Sequence, residues 1–154
     1  MNFNTAIATL FGIGRVRTAP GTVASLVGLP LAWIIAAEGS RAVLLLAAVL
    51  AAALGGWACE HYVRETGNTD PSECVVDELA GQWLACAFCP LQLWHGLPAY
   101  ALAFVLFRIL DIAKPWPISA AEKLHGGLGV MADDLLAGLI AGLLVAVAAH
   151  AGLV

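Results

Sequence analysis

Apolar residues run almost unbroken through four stretches, Thr18–Ala37, Ala42–Cys59, Leu79–Phe107 and Leu135–Val154, and none contains Asp, Glu, Lys or Arg. A helix needs about 20 such residues to cross a hydrocarbon core, within a range of roughly 17–25. The first, second and fourth stretches fit one crossing each. The third, at 29 residues, is too long for one straight crossing and short for two. Its middle, CPLQLWHGLP (89–98), carries Pro90, His95, Gly96 and Pro98, the chemistry of a turn. The pattern therefore predicts a hairpin, down through about 79–94 and back through about 97–110, as a thin, tilted or re-entrant pair. Ahead of the first stretch, NFNTAIATLF (2–11) places Phe3, Ile7, Leu10 and Phe11 on one helical face, as in a short helix lying on a membrane surface.

These elements define an all-α fold: a polytopic membrane helical bundle of about five membrane-embedded helices plus a short N-terminal interfacial helix, one domain over 1–154. Composition agrees. Of 154 residues, 61% are hydrophobic and 12% charged, against about a quarter charged in soluble domains, and the mean hydropathy is +0.88. No basic residue precedes the N-terminal apolar segment 2–11, and Arg15 and Arg17 follow it, which is not the layout of a signal peptide. Among the four cysteines, Cys86 and Cys89 form a C-x-x-C inside an apolar run with no second pair nearby, which favours helix packing over zinc or redox chemistry. A net charge of −4 argues against a nucleic-acid partner.

With 79–107 returning to the side it left, the polar segments sort by face. Arg15, Arg17, Arg64, Arg108, Lys114 and Lys123, six of the seven basic residues, share one side, and only Arg41 lies on the other. The positive-inside rule places the basic side in the cytoplasm. Ten of the eleven acids fall on that same side, Glu38 being the exception. Acids contribute little to orientation, so their crowding requires another cause. A single full crossing by 79–107 would separate Asp77 from Asp111 and remove the site.

Two segments repeat a pattern: VVDELAG (75–81) and MADDLLAG (131–138) each open an apolar helix with an acid pair, and Ala-Gly follows within a turn. Asp77 and Gly81, like Asp134 and Gly138, are four apart and stack on one helical face. Glycines below carboxylates let helix backbones approach closely. Packing glycine to glycine gathers Asp77, Glu78, Asp133 and Asp134 at one interface. The competing explanation is that both pairs cap helix N-termini, where acids meet free N–H groups and the positive dipole end. Four gathered carboxylates cannot all remain charged unless a cation compensates them, and hard oxygen donors beside a phosphate favour Mg²⁺. FRILDIAKPWPI (107–118) adds Arg108, Asp111 and Lys114 at three-residue spacing, with Pro115 and Pro117 ending the helix. That island suits a substrate phosphate beside a metal ligand, or equally an interfacial helix end with self-paired charges. Gly21 and Thr22, in the Pro20-Gly21-Thr22 turn before the first crossing, supply N–H groups for an anion, or simply start a helix.

Other phosphatase chemistries lack their residues. Cys59 to Arg64 is C-x₄-R, one residue short of a cysteine-phosphatase loop, no D-x-D occurs, and His61, His95, His125 and His150 are scattered. Metal-assisted attack by water remains. A small cation-binding membrane transporter is the alternative, although these acids cluster at helix mouths and transporter sites lie near mid-span. A lipid transferase using a nucleotide-activated lipid would need a D-G-x₂-A-R-type signature, which is missing.

Taken together, APGT (19–22), VVDELAG (75–81), FRILDIAKPWPI (107–118) and HGGLGVMADDLLAG (125–138) resemble, in order, the motifs of phosphatidylglycerophosphatase A, over about Gly12 to Gly142. The resemblance implies a Mg²⁺-dependent enzyme of the bacterial inner membrane, its active site facing the cytoplasm. Its substrate is a phospholipid in the bilayer, phosphatidylglycerophosphate, cleaved to phosphatidylglycerol and phosphate. By match, Asp77 and Glu78 occupy the family's D-E pair and Asp133 and Asp134 its D-D pair, all four as catalytic and metal residues. Asp111 joins them as catalytic, with Arg108, Lys114, Gly21 and Thr22 binding the substrate phosphate. The family's P-G-T-x-G-S reads P-G-T-V-A-S here, and the methyl group of Ala24 bears on the geometry of that loop.

Overall fold

The computed structural model describes residues 2–68, 71–90, 93–124 and 126–154, with the side chains of 93–95 outside the description. Among the described residues seven α-helices follow one another: α1 (Phe3–Ala8), α2 (Pro20–Glu38), α3 (Arg41–Thr66), α4 (Val76–Cys86), α5 (Leu93–Ala113), α6 (Ile118–Ala121) and α7 (Gly127–His150). Local chemistry sets their ends. Pro20 occupies the first position of α2, where its fixed φ suits a helix start and its missing N–H costs nothing. Ser40 Oγ accepts the Val43 N–H at 3.2 Å to cap α3, and Gly67, at φ 69°, closes it in the left-handed region.

Helices α2, α3, α5 and α7 are each long and apolar enough to cross a membrane. Their outward faces carry exposed Leu26, Ile34, Leu46, Val49, Leu54, Val105, Ile109 and Val147, a surface suited to lipid rather than water. Helix α4 is different. Its 11 residues span about 16 Å, half of a hydrocarbon core about 30 Å thick. Eight of them are buried, because α4 packs against α7, α3, α2 and α5 together. A helix that stops partway is tolerated in a membrane when protein encloses it. Trp83 Nε1 ties it to α2 by donating to the Gly28 carbonyl at 3.0 Å.

The predicted hairpin is present with different arms. Helix α4 ends at Cys86 and not near 94, and the turn falls at Ala87–Pro90. His95, Gly96 and Pro98 belong to α5, which runs for 21 residues. Pro90 lies in the turn, whereas Pro98 lies inside α5, past its first turn, and removes one backbone bond there. Leu91 and Gln92, within the expected turn, and His125 lie outside the described residues. The return itself holds, since Asp77 and Asp111 line the same cavity.

The N-terminal helix is shorter than its pattern. Leu10 and Phe11 adopt left-handed angles (φ 46° and 56°) after α1. Thr5 and Ala8 form its buried face, while Phe3 is exposed and meets the Trp57 ring at 6.3 Å.

Candidate active site

The start of α2, the starts of α4 and α7, the end of α5 and the strap through α6 converge at one end of the bundle. They enclose a cavity of about 650 Å³ lined by Gly21, Thr22, Asp77, Glu78, Arg108, Asp111, Lys114, Asp133 and Asp134, every residue singled out from the sequence. The helix contact that assembles it is the one the repeated pattern predicted. A Cβ at Gly138 would overlap the Gly81 carbonyl oxygen, and one at Gly81 would lie 2.6 Å from the Asp134 carbonyl oxygen. Helices α4 and α7 therefore touch backbone to backbone one turn below Asp77 and Asp134.

Capping accounts for only one of the acid pairs. Asp77 and Glu78 lie in the first turn of α4, and Asp77 Oδ1 accepts the Glu78 N–H at 3.0 Å. Helix α7 begins at Gly127, six residues before Asp133, and has no acid in its first turn. Asp133 and Asp134 do not open their helix, and the free N–H groups of its first turn are out of reach. Both are nevertheless buried, at 6% and 3% exposure, which leaves the cost of desolvation unexplained by local structure.

Six acids and three cations line the cavity: Asp77, Glu78, Asp111, Glu122, Asp133 and Asp134 against Arg108, Lys114 and Lys123. Arg108 Nη1 pairs with Asp111 at 2.7 Å. The Lys114 ammonium reaches Glu122 at 2.8 Å and Asp133 at 2.6 Å. Asp77, Glu78 and Asp134 have no ion pair among the described residues, and these three each offer an oxygen within 4.8 Å of the other two. Glu78 Oε2 and Asp134 Oδ1 are buried without a hydrogen bond to the protein. The expected quartet is thus a trio. Asp133 faces Lys114 instead, because neighbours on a helix point about 100° apart and Asp134 takes the direction of α4.

Lys114 sits just past α5 in a left-handed conformation (φ 43°), uncommon for a residue other than glycine. Burial opposes its charge, but the hydrogen bonds it donates to Asp133 and Glu122 outweigh that and hold its ammonium above the ordinary lysine value. Replacement by alanine leaves the Asp133 side chain, 9% exposed, without its cation. The expected loss of stability is about 1–3 kcal/mol, read as a fall in thermal midpoint that Lys114→Arg largely restores. Glu122, the other partner of Lys114, had no sequence signal, since α6 folds it back across eight residues. Gly21 has a defined purpose: a Cβ there would overlap Glu78 Oε1, so the glycine leaves room for the carboxylate beside α2. Ala24 is wholly buried on α2 and its methyl group fills packing space.

Cys59 is fully buried, whereas the Arg64 side chain is 71% exposed and paired with Glu60. Cys86 and Cys89 are buried free thiols.

The fold and cavity define a membrane helix bundle with an uncompensated acidic site at one end. The family model for phosphatidylglycerophosphatase A matches residues 6–149. The chain is 35% identical to the phosphatidylglycerophosphatase A of Escherichia coli (strain K12), over 94% of this chain and 83% of that one. It is 37% identical to that of Haemophilus influenzae, over 88% and 82%. It is also 36% identical to a Bacteroides thetaiotaomicron protein provisionally named a phosphatidylinositol-3-phosphatase, over 92% and 91%. The chain therefore belongs to the phosphatidylglycerophosphatase A family and is a phosphoric monoester hydrolase. No solved structure gives a significant match.

Proposed function

We propose that this chain hydrolyses phosphatidylglycerophosphate to phosphatidylglycerol and phosphate, using Mg²⁺ held by Asp77, Glu78 and Asp134. The observation that carries the reading is the charge pattern of the cavity. Its cations are paired with Asp111, Glu122 and Asp133 or stand free, as Lys123 does among the described residues, and the three acids without a cation are the three that converge. The buried, unbonded oxygens of Glu78 and Asp134 fit a hard divalent ion that takes few protein carboxylates. When bound, Mg²⁺ would neutralise phosphoryl charge and acidify a water molecule.

The chain's own groups then have distinct tasks. Arg108, oriented by Asp111 and with a buried Nε lacking a hydrogen bond, holds phosphoryl oxygens as charge grows in the transition state. Lys114 uses two donors on Asp133 and Glu122 and keeps a third for the substrate. Asp133, bonded through Oδ2 and unbonded at Oδ1, accepts the proton of the attacking water. The N–H groups of Gly21 and Thr22, at a helix start without a side-chain cap, receive the anion. Six of seven basic residues belong to segments at this end, which orients the site to the cytoplasm at the bacterial inner membrane. There a lipid head group is presented while its acyl chains stay in the bilayer. The cation-transporter alternative has no support from the family.

The test is phosphate release by detergent-purified protein from phosphatidylglycerophosphate and, separately, from phosphatidylinositol 3-phosphate, before and after chelation. Release from the glycerol lipid that chelation stops and Mg²⁺ restores is the expected result. Release that survives chelation overturns the metal reading, and a preference for the inositol lipid overturns the substrate.

A further inference from the structure

Helix α7 has no side-chain cap of its own, yet its start is not bare. The Gly127 N–H donates to Glu60 Oε2, on α3, at 2.6 Å. Glu60 is steadied in turn by Arg64, whose Nε and Nη2 meet Oε1 at 2.9 and 2.8 Å. The two glycines of HGGLG make the contact possible. Gly126 takes φ 70°, and a Cβ there would overlap Glu60 Oε2. A Cβ at Gly127 would overlap the Gly56 carbonyl oxygen. Below, Gly138 rests on Gly81. The turn carrying Asp133 and Asp134 thus lies between two fixed points on one helix.

We infer that Glu60 is a positioning residue for the acidic site: it caps α7 from α3 and so sets the register in which Asp134 meets Asp77 and Glu78. A carboxylate at a helix start satisfies a free N–H and favours the dipole. Without it the first turn of α7 frays toward Asp133, and the oxygens that converge on a cation lose their spacing. Glu60 itself stands outside the cavity lining and the carboxylate trio, so it acts through α7. The inference rests on the proposed metal site and adds a residue to its construction.

The experiment measures Mn²⁺ binding by calorimetry, and kcat and KM for the lipid, on the detergent-purified full chain. Glu60→Ala is expected to weaken Mn²⁺ binding and lower kcat by roughly fivefold or more, the scale of a lost helix cap, with lipid KM unchanged. Glu60→Gln keeps an amide oxygen for the Gly127 N–H and should stay within about twofold of wild type, as should Arg64→Ala, which removes only an exposed partner. Wild-type Mn²⁺ affinity in a Glu60→Ala protein with a lowered thermal midpoint would reduce Glu60 to a general stabiliser and overturn the inference. Equal damage from Gln and Ala would do the same. Should Glu60→Ala not fold, Glu60→Gln decides: near-wild-type affinity with slow amide exchange at Gly127–Val130 supports the cap, and roughly tenfold weakening overturns it. If wild type binds no Mn²⁺, the metal reading falls first and this inference with it. Binding that Glu60 does not influence sinks the inference alone.

Discussion

Asn in place of Asp134 is expected to reduce phosphate release at least about 100-fold while the protein remains folded. Groups that merely support a metal ligand cost 10–100-fold when removed, so loss of a ligand itself should cost no less. The substitution preserves volume at a residue only 3% exposed, so packing is not the cause of the loss. Stability should move the other way. In metal-free protein Asp134 crowds Asp77 and Glu78, none of the three ion-paired among the described residues, and taking one charge away relieves that repulsion. The metal-free thermal midpoint of Asp134→Asn should equal or exceed that of wild type, while the rise that Mg²⁺ produces in wild type should vanish. Near-normal turnover, or a Mg²⁺-induced rise that survives, would remove Asp134 from the metal site.

Val in place of Gly138 acts through geometry. The space a side chain would need is taken by the Gly81 carbonyl, which is backbone and cannot swing aside. Helices α4 and α7 must part, at a cost of about 1–3 kcal/mol or more. The parting also separates Asp77 and Glu78 on α4 from Asp134 on α7. Misplacing reacting groups by about 1 Å costs on the order of 100-fold, so activity should fall further than stability alone explains. Gly56→Ala separates this effect from helix propensity, since its nearest neighbour would be the Gly127 oxygen at 3.6 Å, an ordinary contact. The expected outcome is an active Gly56→Ala and a nearly silent Gly138→Val with lowered Mg²⁺ affinity. Full activity in Gly138→Val would show that α4 and α7 need not touch for the site to form.

Much of this molecule was legible along the chain because a membrane allows few solutions. Uncharged stretches of the right length must be helices there, since nothing in hydrocarbon satisfies an open backbone. Charges gather at helix ends for the same reason, and glycine four residues beyond an acid on two helices announced which faces would meet. The all-α class, the shared face of Asp77, Asp111 and Asp134, and the α4–α7 contact follow from those local rules. What the tertiary structure alone decided concerns partners distant in sequence or a choice between neighbours. Helix α4 stops after 11 residues because four helices enclose it, and enclosure leaves no period in the sequence. Asp133 and Asp134 look alike in a one-letter string, yet a rotation of about 100° sends one to Lys114 and the other to the trio. Glu60 caps a helix 67 residues away, through glycines whose need is visible only once α3 lies against them.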